Sequence, residues 1–286
     1  MRPVDDLRID NGPVGLACTR GGAASGPAVL FLHGITSSRQ SWLESIERLG
    51  DRFDCWTLDF RGHGDSDRAP DAYLLTDYAS DAAATLARIG RRTIVVGHSL
   101  GGVTAAHLAH GSHPLVGAIF LEDPPLYLDG QDALIGTVFP TMFSRLRELV
   151  MKLRADGAPF ESYLDAAANS PSPMGGVAGD HLLEHHVRGR ARQLQSFDPS
   201  CLDVAIDGRV FAAFDAAGPI GCPVTVLAAN PAYGAAFRDG DEARLTASTP
   251  HAQVVAFPEV GHSVRTSTVS AARFLDELDA FVTANR

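Results

Sequence analysis

The sequence predicts an α/β protein with a mostly parallel central sheet flanked by helices and an inserted α-helical cap. Three observations predict it. Short apolar runs rich in β-branched residues recur through the first 125 residues, each ending in a polar or glycine-rich loop, with helical patterns between them. From about Leu126 to about Asp207 that alternation gives way to a mainly helical pattern with no convincing strand. It then resumes near Cys222 and closes on an amphipathic helix. Strands that are apolar throughout, and not on every second residue, are buried on both faces, as parallel strands covered by helices are.

In chain order, Ala28–Leu32 leads into His33-Gly34, and Phe53–Leu58 leads into Asp59-Phe60-Arg61-Gly62-His63-Gly64. A helical pattern follows over Thr76–Ile89. Thr93–Val96 runs into Gly97-His98-Ser99, and the Ala- and Leu-rich stretch Leu100–His110 continues as a helix. Val116–Leu121 ends in Glu122-Asp123-Pro124-Pro125, where two prolines stop the ladder. Val138–Leu153 and Asp180–Gln195 are the clearest helices of the middle stretch. Cys222–Ala228 and Val254–Phe257 restore the strand pattern, and Ser270–Ala284 is the closing helix. A chain of 286 residues suits one large domain, or one with an inserted subdomain. The expected division is 1–125 and 208–286 for the core and 126–207 for the cap. Ligands of such sheets bind beyond the carboxyl ends of the strands, so a cap there would roof the site and exclude water.

Composition narrows the function classes. Hydrophobic residues make up 45% and charged residues 20%, enough apolar surface to bury a full core. A formal charge of −10 argues against nucleic acid or an anionic membrane as partner. The four cysteines, Cys18, Cys55, Cys201 and Cys222, lie far apart without a C-x-x-C pair, as buried free thiols of a reducing compartment do. No apolar run approaches bilayer length, and the first residues, MRPVDDLRIDNG, lack the apolar stretch of a signal peptide. The expectation is a cytoplasmic protein.

Ser99 carries most of the chemistry. Gly97-His98-Ser99-Leu100-Gly101 has the G-x-S-x-G form, between a β-branched run and a helical one. Strand, sharp turn, helix is the context that exposes a serine as a nucleophile. The turn needs small neighbours, which Gly97 and Gly101 supply. The helix that follows aims free N–H groups and its positive dipole end at any anion formed there.

A serine hydroxyl needs a base, and the base needs an orienting carboxylate. His262, in the loop between the last strand and the last helix, is the candidate base. His181 and His185 share a helix face with Glu184 and His186 beside them, but lack the H-E-x-x-H order of a metal site and are expected to form a solvated face. For the acid, the loop after Cys222–Ala228 offers Asn230 and no carboxylate before Asp239. An amide orients a ring without stabilising the imidazolium, at a cost of roughly 10⁴ in rate. The loop after Val116–Leu121 offers Glu122 and Asp123, which point to opposite faces. Asp123 is preferred because it stands at the strand end; Glu122, Asp239 and Asp241 stay open at this stage. The N–H of Leu100 and that of Ile35, after His33-Gly34, are the candidate oxyanion donors.

Taken together, Leu32-His33-Gly34 with Trp42, Asp59-Phe60-Arg61-Gly62-His63-Gly64-Asp65-Ser66, Gly97-His98-Ser99-Leu100-Gly101-Gly102 and Gly261-His262 make the chain resemble the α/β-hydrolase superfamily over nearly its whole length. The resemblance implies a Ser99–His262–Asp123 triad. It is to the subset whose acid follows the strand before the cap, because the loop 229–233 departs from the commoner arrangement. His33, Gly34, Trp42, His98, Phe139 and Phe143 are then expected around the substrate. The implied activity is hydrolysis of a small-molecule carboxylic ester, lactone or amide, with no cofactor and no metal. The alternatives are a non-hydrolytic enzyme on the same fold (lyase, cofactor-free oxygenase or acyltransferase) or a ligand receptor. An arginine of the cap, Arg188, Arg190 or Arg192, is a conceivable anchor for a substrate carboxylate, although a solvated helix face accounts for all three. Substrate identity and oligomeric state are not legible.

Overall fold

A computed structural model describes residues 4–128 and 137–286. Among the described residues, the strands β1 (Val4–Asn11), β2 (Val14–Gly22), β3 (Ala28–Leu32), β4 (Asp54–Leu58), β5 (Thr93–His98), β6 (Val116–Glu122), β7 (Val224–Ala229) and β8 (Gln253–Phe257) form one sheet in the order β1-β2-β4-β3-β5-β6-β7-β8. From β4 to β8 every pairing is parallel; β1 and β2 add an antiparallel edge. The α/β sheet expected from the apolar runs is present. The edge hairpin was not foreseen, because β1 is half polar. Its signal was Asn11-Gly12, a turn pair whose glycine has φ +62°.

Helices α1 (Leu43–Leu49), α2 (Leu75–Ile89) and α3 (Leu100–His110) alternate with the strands. After β6 come α4 (Phe139–Ala155), α5 (Phe160–Asn169), α6 (Glu184–Ser196) and α7 (Cys201–Ile206), then α8 (Asp241–Ser248) and α9 (Ala271–Ala284). One apolar cluster on a face of the sheet gathers Leu30, Leu58, Val95, Leu121 and Val226 with α2 and α3. A second, on the opposite face, packs Phe31, Val96 and Phe120 against α1 and α9 through Trp42, Phe274 and Leu278. Burial on both faces is why these strands lack alternation. The helices between β6 and β7 carry a third cluster of their own, including Val150, Tyr163, Ala191, Leu194 and Phe197. No helix among the described residues is long and apolar enough to cross a membrane.

The register sets the site. Leu32 pairs with Gly97, His98 with Glu122, and Glu122 with Leu227. Residues 33, 99 and 123 therefore leave the sheet side by side at its carboxyl edge.

Candidate active site

Ser99 sits between β5 and α3 with φ 51° and ψ −116°, a conformation costly for any residue with a Cβ. Its own N–H donates to Glu122 O at 3.0 Å, and its carbonyl accepts from Val103 N at 3.0 Å, so strand and helix hold the strained residue from both sides. The glycines around it are sterically required. A Cβ on Gly97 would stand 2.3 Å from Gly101 O, and one on Gly101 would stand 2.2 Å from Leu32 O.

His262 and Asp123 are in contact: His262 Nδ1 lies 2.6 Å from Asp123 Oδ2. Asp123 is fully buried and adopts φ 43° at the end of β6, which turns its carboxylate toward the loop after β7. There the backbone N–H groups of Ala236 and Phe237 donate to it at 2.7 and 3.1 Å. The carboxylate oxygen accepts at Nδ1 of His262, which places the ring proton on Nδ1 and leaves Nε2 as the free base. Sequence reasoning missed Ala236 and Phe237, because main-chain donors leave no side-chain signature. Among the described residues no hydrogen bond joins Ser99 Oγ to the His262 ring. Both border Phe139, whose ring meets that of His262 at 5.5 Å and lines the cavity at Ser99. Catalytic contacts are often long before substrate binds.

The other acids are engaged elsewhere. Glu122, also fully buried, faces away from Asp123 and pairs with Arg265, accepting both its N–H at 2.8 Å and its guanidinium. Asp241 accepts from Arg238 N at 2.7 Å, and Asn230 ties its own loop to Pro258 O at 2.7 Å.

The backbone N–H groups of Leu100 and Ile35 are taken by no carbonyl among the described residues, and both residues line a cavity of about 30 Å³ with Ser99. Two buried histidines brace the loop that carries Ile35. His63 Nδ1–H donates to Arg61 O at 2.9 Å while its Nε2 accepts Thr36 N–H at 3.1 Å. His33 Nδ1–H donates to Gly34 O at 2.8 Å while its Nε2 accepts Phe60 N–H at 3.0 Å. Each ring accepts through one nitrogen and is therefore neutral; burial pushes both pKa values down to about 3.

Part of the expected substrate shell does not line this cavity. His33 is a fully buried brace, and Trp42 lies in the core on the other face of the sheet, under the Arg265 guanidinium at 4.2 Å. His98 also lies beneath the cavity: its Nε2–H donates to His262 O at 3.0 Å, and burial holds its pKa well below the usual histidine value. Gly34 packs on that ring, where a Cβ would approach His98 Nδ1 to 2.7 Å. Phe139 and Phe143 do line the cavity, stacked at 5.9 Å, facing Leu128, Val210 and Phe211. Arg188, Arg190 and Arg192 are not among its lining residues; Arg188 lies over the Phe160 ring at 5.9 Å.

The histidines of α6 are not simply solvated. His185 and His186 meet Glu44 of α1 at 2.6 and 3.2 Å. His181, the other expected member of that face, instead donates to Gly175 O at 2.7 Å.

A family model described as the alpha/beta hydrolase family matches residues 29–277. The chain is 38% identical over 130 residues to 2-(acetamidomethylene)succinate hydrolase of Mesorhizobium japonicum, covering 44% of this chain and 46% of that protein. It is 37% identical over 110 residues to N-formylmaleamate deformylase of Pseudomonas putida, covering 38% and 41%. The matched stretch thus spans less than half the length of either relative. The crystal structure of E-2-(acetamidomethylene)succinate hydrolase superposes over 98% of this chain and 100% of its own, with a TM-score of 0.72 at 23% identity, a likeness of fold. With sheet order, strained serine turn and family match in agreement, the chain is a member of the alpha/beta hydrolase family.

Proposed function

We propose that this chain is a cofactor-independent serine hydrolase that cleaves a carboxylic ester, lactone or amide of a small molecule. His262 Nε2 takes the proton of Ser99 as Oγ bonds to the substrate carbonyl carbon. The resulting oxyanion rests on the Leu100 and Ile35 N–H groups. The carbon–leaving-group bond then breaks, and the leaving oxygen or nitrogen departs with the proton from His262. Water adds to the acyl-Ser99 ester, again through His262, releasing the acid and restoring the hydroxyl. Asp123 holds the Nδ1–H tautomer and stabilises the imidazolium in both halves.

The observation that carries this reading is the 2.6 Å His262–Asp123 pair, together with a serine held at φ 51° on a helix N-terminus whose cavity shares Phe139 with the His262 ring. The names of the two relatives, a hydrolase and a deformylase, support it. The helices within 126–207 are taken as a cap, since they have a core of their own and contribute Phe139 and Phe143 to the cavity. A fluorophosphonate probe tests the assignment. It is expected to label the wild-type chain at Ser99 and to leave Ser99→Ala unlabelled, with ester turnover lower by about 10⁶. Labelling of the wild type at any other residue, or undiminished turnover by Ser99→Ala, refutes it.

A further inference from the structure

Resting on that reading, we infer that the acyl group passed to Ser99 is uncharged and apolar. The cavity is lined by Ser99, Leu100 and Ile35, so it adjoins the acyl chain of a substrate whose carbonyl oxygen sits between the Leu100 and Ile35 N–H groups. Among the described residues that line it, every side chain apart from Ser99 is apolar, including Leu128, Phe139, Phe143, Val210 and Phe211. Two arginines of the surrounding loops are committed elsewhere. Arg265 is paired with buried Glu122, and Arg238 donates to Tyr127 O at 2.9 Å.

A carboxylate at the end of an acyl chain entering such a cavity gives up its hydration and, beyond the Ser99 hydroxyl and the two N–H groups already engaged by the substrate carbonyl, meets no side-chain donor among the described lining residues, which disfavours the ionised form. Hydrolysis then releases a neutral-chain carboxylic acid, whose only charge is the carboxylate formed at Ser99 itself.

Two esters isolate the point: 4-nitrophenyl butyrate and mono-4-nitrophenyl succinate share a leaving group and a four-carbon acyl chain, and differ in one terminal carboxylate. The full chain is expected to favour the butyrate in kcat/KM by on the order of 100-fold or more. Phe143, a half-buried residue of the cavity wall, supplies the second arm. Phe143→Arg is expected to shrink the preference at least about tenfold, and Phe143→Leu to keep it. Equal or faster cleavage of the succinate ester, with Ser99 still labelled by fluorophosphonate, overturns this inference alone. So does an unchanged preference in a folded Phe143→Arg. Cleavage of neither ester, with no label on Ser99, overturns the hydrolase reading itself and this inference with it.

Discussion

Replacing Asp123 by Asn tests the anion behind His262 with almost no change of shape. The carboxylate is fully buried and receives three donors: His262 Nδ1 at 2.6 Å, Ala236 N at 2.7 Å and Phe237 N at 3.1 Å. A carboxamide has one acceptor oxygen. If that oxygen replaces Oδ2, the amide nitrogen confronts the Phe237 N–H, and a developing imidazolium faces a dipole where an anion stood. If it replaces Oδ1, the amide nitrogen confronts the Ala236 N–H and donates to His262 Nδ1, moving the ring proton to Nε2, where it cannot accept from Ser99. Either way one buried N–H loses its partner, which costs about 1–3 kcal/mol of stability. The rate penalty is larger, about 10⁴ in kcat, or roughly 5.5 kcal/mol of barrier. Steady-state hydrolysis of 4-nitrophenyl butyrate gives kcat, and urea unfolding gives the stability on the same preparation. A folded Asp123→Asn that keeps kcat within about tenfold of wild type refutes the assignment of the acid.

Two further outcomes follow from the buried charges. Glu122→Ala leaves the Arg265 guanidinium buried without its counterion, so unfolding free energy is expected to fall by about 3–5 kcal/mol, while fluorophosphonate still labels the folded protein; loss of labelling with stability unchanged would show that Glu122, not Asp123, serves His262. The second concerns pH. His33 and His63 are held to about 3 in the fold, but titrate near the ordinary value of about 6.5 when unfolded. Between those values the unfolded chain binds the extra protons, so their contribution is intact above about pH 6.5 and is lost as the solution is acidified toward 3. Each ring contributes ~1.4 kcal/mol per pH unit, and the pair about 2.7 kcal/mol between pH 7.5 and 5.5. Urea unfolding at those two values measures it, and equal stability at both contradicts the neutral, buried assignment.

Most of the scaffold was legible because its physics is local. Uninterrupted apolar runs announced β3 to β7, and Gly97 and Gly101 announced the strand-to-helix turn through the close approach they permit. Alternation along β6 separated Glu122 from Asp123, and the structure turns them to different partners. Other features leave weaker traces. A polar edge strand such as β1 resembles a loop, and α5 and α8, of ten and eight residues, were not singled out in the sequence. His33 looks in sequence like any loop histidine; only its burial, and the Phe60 and Gly34 groups it meets, make it a brace. Trp42 was placed near the substrate on motif position, whereas its ring fills the far side of the sheet under Arg265.

The two main-chain amides that grip Asp123 have a wider consequence. Residues 236 and 237 serve through peptide groups every amino acid but proline possesses, so their side chains are free to vary while the anion keeps its seat. A crucial part of the machinery is thereby written in chain path instead of residue identity. Kinship judged by matching letters will undervalue that segment, whereas a comparison of backbone course will find it.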